Sequence, residues 1–107
     1  MKINVIEEKT FCGNVVEEKI DAVSINRRET ILQGIINLPN PCYKVLVSYE
    51  VINDCLDIKI KLEYSGEICV QCIAVKKFEI RITGIPEKIK VINVLCKGKV
   101  LLRKNIP

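Results

Sequence analysis

Two runs of strict alternation lie back to back in the middle of this chain. From Tyr43 to Val51 the odd positions are Tyr43, Val45, Val47, Tyr49 and Val51, while the even ones include Lys44, Ser48 and Glu50. Leu56, Ile58, Ile60 and Leu62 then alternate with Asp57, Lys59, Lys61 and Glu63. A period of two puts one set of side chains on each face of a strand, so both runs read as strands with one buried face. Asn53-Asp54 between them suits a turn, and the pair reads as an antiparallel hairpin around VINDC.

The rest of the chain follows the same grammar. Ser65-Gly66 marks a turn, and an extended run follows from about Ile68 to Thr83. Its later part places Phe78, Ile80 and Ile82 inward, whereas Ile73 and Val75 sit on the opposite parity. A bulge near Lys76-Lys77 would reconcile the halves. Gly84-Ile85-Pro86 ends that run, Ile89–Leu95 forms another strand, Lys97-Gly98 a turn, and Lys99–Leu102 a short last strand. Earlier, Lys19–Ile25 and Thr30–Leu38 read as strands joined through Asn26-Arg27-Arg28-Glu29. Lys2–Ile6 and Val15–Val16 add edge pieces, and Thr10–Glu18 is expected as a loop with a short turn.

At 107 residues the chain is one domain, with 1–18 as an edge strand or irregular extension. A hydrophobic content of 49%, rich in Ile and Val, sets disorder aside and favours strands. The expected fold is an all-β, immunoglobulin-like sandwich of about seven strands, with a small open barrel as the alternative.

Six cysteines are many for a cytosolic protein, and free thiols, metal ligands and disulfides compete. Cys69 and Cys72 form the chain's one Cys-x-x-Cys. In an unbroken strand, residues three apart point to opposite faces, which opposes a shared zinc ion. A redox pair belongs at a helix N-terminus, and the flanks here read as strand. Cys72 is expected as a core thiol, Cys96 likewise, and Cys55 as exposed or edge-facing. Six cysteines allow 15 complete pairings, which the sequence leaves open. One pair stands out on organisation: Cys42 lies where a loop enters a strand and Cys69 where a later strand begins. A bond there closes roughly a 27-residue loop, worth about 3–4 kcal/mol by chain entropy.

Leu38-Pro39-Asn40-Pro41-Cys42-Tyr43, followed by Cys69-Val70-Gln71, resembles small, largely uncharacterised prokaryotic β-sandwich domains. Those carry Pro-Cys at the start of one strand and Cys-x-Gln near the start of another. Gly84-Ile85-Pro86 is similar to the Leu-Pro turn before their next strand. The resemblance spans about residues 20–97 and implies Cys42 and Cys69 close enough to pair. It also implies exported proteins, some near protease-inhibitor-like or protein-interaction modules, and it supplies no enzymatic residues. The chain departs from the pattern through Cys12, Cys55, Cys72 and Cys96, and through charges in Met1–Thr10 where a signal peptide needs an apolar stretch. The expected location is therefore cytoplasmic, with export as the alternative if a leader precedes this sequence. Ile, Lys and Glu richness with no His and one Met leans toward a hyperthermophilic source.

The absence of histidine removes Ser-His-Asp and Cys-His catalysis. No glycine-rich phosphate loop is present, and the carboxylates are scattered, so a non-enzymatic chain without cofactor or metal is expected. A net charge of +4 is ordinary, yet Lys59, Lys61, Lys76, Lys77, Lys88 and Lys90 outline a basic face for weak nucleic-acid binding. Solvated lysines that protect strand edges are the simpler reading. The leading expectation is a protein-interaction or structural module. Its loop surface is drawn from Arg27, Arg28, Asn40, Asn53, Asp54 and Glu87, with self-association through a sheet edge as a further route. A protease-inhibitor-like module is the other alternative. No run of 18 apolar residues suggests a membrane span.

Overall fold

A computed structural model describes residues 1–66 and 68–107. Among them are eight strands and no helix: β1 (Lys2–Cys12), β2 (Lys19–Ser24), β3 (Glu29–Leu38), β4 (Tyr43–Ile52), β5 (Cys55–Tyr64), β6 (Ala74–Thr83), β7 (Val91–Cys96) and β8 (Lys99–Asn105). They form two four-stranded sheets, ordered β1-β6-β3-β2 and β4-β5-β7-β8, and neither closes into a barrel. Every neighbouring pair is antiparallel except β5 and β7. The two-layer architecture agrees with the sequence reading, with one strand more. The strand order is the chain's own: an immunoglobulin constant domain joins its first, second, fifth and fourth strands in one sheet.

The alternation seen in the sequence becomes the core. Leu32 and Ile36 of β3, Ile80 and Ile82 of β6, Leu56 and Ile58 of β5, and Ile92 and Val94 of β7 are fully buried and belong to one cluster. Each strand lends one face and the two faces meet, as in a sandwich. Ile85, Ile89 and Ile106 join the same cluster. Gly34 is the one gap in this inward row, because β3 pairs it with Phe78. A methyl group on Gly34 would sit 2.7 Å from Ile20 Cδ1 and 2.8 Å from Phe78 Cε1, so the absent side chain is the space the Phe78 ring fills.

Two hairpins close with two-residue turns. Asn53, the first residue of the turn between Ile52 and Cys55, has φ of 57°, the left-handed value that the first position of a two-residue hairpin loop takes. Lys97 and Gly98 both have positive φ, 52° and 76°, as a type I′ turn requires.

Three local expectations are corrected. β1 runs on to Cys12, leaving only residues 13–18 irregular, and Val15–Val16 forms no strand. The run from Ile68 to Thr83 is strand only from Ala74. Finally, β6 does not change parity at Lys76-Lys77: its register with β3 is unbroken, and the irregularity lies in β1 between Glu7 and Lys9. The apparent parity break arose because an inward position holds a lysine. Val75 is buried on the outward parity, beside Asn37, whose side chain accepts the Val16 N–H at 3.0 Å and donates to the Val16 carbonyl at 2.8 Å.

Candidate functional site: a doubly pinned loop

Among the described residues, the segment between β5 and β6 carries the two most exposed apolar side chains, Ile68 and Val70, with Ile73 beside them. Ile68 is fully exposed, Val70 is 68% exposed and Ile73 49%. Such residues ordinarily retreat into a core. Here the backbone cannot follow, because both cysteines of the segment are bonded elsewhere. Cys69 is joined to Cys42 and Cys72 to Cys12, with Cα–Cα distances of 5.9 and 5.8 Å.

The first of these is the pair that the resemblance implies. The second corrects an expectation: Cys72 is no core thiol, being bonded to Cys12. Register accounts for it, since β1 places Cys12 opposite Ala74 at the start of β6, two residues from Cys72. The Cys-x-x-Cys is therefore neither a zinc knuckle nor a dithiol pair, because each sulfur has a separate, distant partner. Among the described residues no cluster of His, Cys, Asp or Glu is arranged to hold a metal ion.

Backbone hydrogen bonds complete the frame. Ser65 N–H donates to the Cys42 carbonyl at 2.9 Å, and Gly13 N–H to the Ile73 carbonyl at 3.1 Å. Cys72 N–H donates to the Val70 carbonyl at 3.1 Å, a γ-turn centred on Gln71. Asn40 Oδ1 accepts the Cys42 N–H at 3.0 Å and touches Cys69 Sγ at 3.3 Å. That sulfur, being oxidised, has no proton to donate. The Tyr43 and Tyr64 rings, cross-strand partners at 5.3 Å, lie beside this end of the β4–β5 hairpin. The remaining cysteines stay free: Cys55 is partly exposed, and Cys96 is buried, which pushes its thiol pKa up.

The expected loop surface is divided between the two ends of the sandwich. Asn40 belongs to the disulfide end. Arg27, Arg28, Asn53, Asp54 and Glu87 belong to the other, where Ile85 N–H donates to the Arg27 carbonyl and Lys90 N–H to the Asp54 carbonyl. Arg27 spends its guanidinium internally, donating to the Pro86 and Ile89 carbonyls at 2.8 and 2.7 Å. It fastens the 84–90 turn and is no free docking group.

The expected basic face is dispersed. Lys59 and Lys61 project outward from the second sheet, Lys77 from the first, and Lys88 and Lys90 from the 84–90 turn. Lys59 is paired with Glu50 at 3.4 Å. Lys76 must be removed altogether: it points inward, is 5% exposed, and donates from Nζ to the Tyr43 carbonyl at 3.1 Å, with Glu7 Oε1 at 3.2 Å. The strand parity that hid it in the sequence is the reason it is buried.

Depressions on the surface are shallow and charged. One, of about 320 Å³, is lined by Glu8, Lys19, Asp21, Gln33 and Lys77 on the first sheet. Elsewhere Asp57 accepts from Asn93 at 2.9 Å, and Asn93 accepts from Arg103 at 3.1 Å. This cross-strand ladder employs Asp57 structurally. No protein-family model matches this chain, nor does any curated protein or solved structure.

Proposed function

We propose that this chain is a non-enzymatic protein-interaction module whose contact surface is the segment 68–73. The observation that carries this reading is the combination of exposure and restraint. Ile68, Val70 and Ile73 are offered to solvent from a segment whose two cysteines are bonded to different strands or strand starts. An apolar patch held out in water favours contact with a partner. A segment already fixed loses little freedom on binding, so more of its burial appears as affinity.

The protease-inhibitor-like alternative draws on the same segment. An exposed loop tethered on both sides of Val70-Gln71 stays attached after cleavage of that bond, as an inhibitory loop must. Nucleic-acid binding draws less support, because the lysines do not converge and Lys76 is inside. Two disulfides favour an oxidising setting, and so the exported alternative, with hyperthermophilic cytosol the other environment in which such bonds persist.

The test is a comparison of three proteins as bait in their source extract: the native chain, Ile68→Ser with Val70→Ser, and Arg28→Ser at the opposite end. Partners retained by the native chain and by Arg28→Ser, but lost by the double variant, support the reading. An identical set of partners for all three overturns it. Incubation with a panel of endopeptidases separates the inhibitor alternative, which requires slowed turnover of another substrate and not mere cleavage of this chain.

A further inference from the structure

The two disulfides gather four sulfurs at one end of the sandwich, and they meet solvent unequally. Cys12 is exposed on the edge strand β1, while Cys42, Cys69 and Cys72 are half-buried. A thiol reductant arriving from solvent therefore reaches the Cys12–Cys72 bond first, on its Cys12 side. Attack at Cys12 expels Cys72 as the thiolate.

That thiolate lies three residues from Cys69. Strand parity does not hold the two apart, because β6 begins only at Ala74. The chain folds back on itself at Gln71, where Cys72 N–H donates to the Val70 carbonyl at 3.1 Å, and the Gly13 N–H on the Ile73 carbonyl keeps the end of the segment in place. Neither hydrogen bond involves a sulfur, so neither is removed with the Cys12–Cys72 bond. Asn40 then gives the next step a direction. Its Oδ1 accepts the Cys42 N–H at 3.0 Å and sits 3.3 Å from Cys69 Sγ. An acceptor oxygen beside that sulfur opposes negative charge on it. Attack at Cys42 would leave the charge on Cys69, whereas attack at Cys69 leaves it on Cys42.

We infer that one two-electron reduction of Cys12–Cys72 unpins both ends of the segment 68–73, by internal exchange to a Cys69–Cys72 bond. The reductant, a small dithiol, gives two electrons and closes to its own disulfide, and Cys12 is released as a thiol. Cys72 Sγ then bonds to Cys69 Sγ, the Cys42–Cys69 bond breaks, and Cys42 leaves as a thiolate that takes a proton from water. Two protein disulfides have become one, which balances the two electrons supplied. The segment loses its attachment to β1 and to the start of β4 together. As a means of regulating binding, this rests on 68–73 being the contact surface; the exchange itself does not.

The full-length native chain, treated with one equivalent of dithiothreitol, quenched in acid, alkylated with a maleimide in denaturant and mapped by peptide mass, tests the inference. Cys55 and Cys96 label in every species. The partly reduced species is expected to carry further label on Cys12 and Cys42, with Cys69 and Cys72 joined to each other. Label on Cys12 and Cys72 with Cys42–Cys69 intact overturns the inference, and so does label on Cys42 and Cys69 with Cys12–Cys72 intact. Two variants repeat the test without reductant. Cys12→Ser leaves Cys72 free to attack and is expected to release Cys42, whereas Cys72→Ser should keep Cys42–Cys69. A Cys42–Cys69 bond retained equally in both also overturns the exchange. These maps are read without any partner, so a failed exchange leaves the contact-surface reading standing, and an unchanged partner set for the Ile68→Ser, Val70→Ser chain removes that reading without altering the maps.

Discussion

The carboxylate of Glu7 accepts the backbone N–H of Val45 at 2.7 Å, tying the edge of one sheet to the edge of the other. Lys76, on β6 next to that edge, donates to the Tyr43 carbonyl and sits 3.2 Å from the carboxylate, so two opposite charges and two backbone groups share one seam. Removing the lysine leaves the Tyr43 carbonyl and the carboxylate without it. Lys76→Ala is expected to cost about 1.5–3 kcal/mol, the range for hydrogen bonds to charged groups. Lys59→Ala, on the exposed outer face, should cost no more than about 0.5 kcal/mol. Urea unfolding of both variants checks the contrast; equal losses would show that the seam carries no special weight.

Covalent restraint gives a second expectation. The two bonds span 60 and 27 residues of sequence. On the chain-entropy estimate they restrict the unfolded chain by about 4 and about 3.5 kcal/mol. Intact mass after alkylation in denaturant without reductant should show two blocked thiols, Cys55 and Cys96. In native buffer Cys55 should react first, since Cys96 is buried with its pKa raised. Six blocked thiols before reduction would refute both bonds.

Acid should act through Glu18. Burial alone would raise its pKa, but the Lys97 ammonium at 2.6 Å and the Asn37 N–H at 2.9 Å outweigh it, and the net shift is downward. The unfolded chain therefore binds this proton at higher pH than the folded one does. The stabilisation is complete above the ordinary glutamate pKa of about 4.3 and is lost as pH falls through the lower folded-state value. Thermal midpoints between neutral and acid pH should fall less steeply for Glu18→Gln than for the native chain. Parallel curves would remove Glu18 from the account.

Gly34 offers a sharp test of core shape. Alanine there meets Ile20 and Phe78, both buried, and one of them must leave its place. Gly34→Ala should cost about 1–3 kcal/mol, as overpacked cores do. A variant of native stability in urea would mean that the ring has room to move.

These residues also explain what the sequence could and could not convey. The alternation from Leu56 to Leu62 was legible because one face of β5 is wholly buried and the other is wet, so periodicity and burial coincide. Lys76 was illegible for the converse reason. Its position is inward, but its partners, Glu7 and the Tyr43 carbonyl, come from β1 and β4, and only the strand order brings them there. Cys12 was hidden in the same way, since its bond depends on β1 pairing with β6 across some sixty residues. The exposed Ile68 and Val70 read as strand in the sequence because apolar residues normally imply burial. Pinning by two sulfurs reverses that inference, and no local pattern announces it.

The order of the bonded cysteines along the chain is 12, 42, 69, 72, so the inner bond lies within the span of the outer one. A single cut of the backbone anywhere between Gly13 and Gln71, or after Gln71 itself, leaves the two fragments joined through sulfur. The pinned loop falls inside that interval as far as Cys72, as do β2, β3, β4 and β5. A nicked molecule would migrate as one species until reduced, and would keep Val70 and Gln71 near their original places after the bond between them is gone. Durability of the surface is thus separated from continuity of the chain.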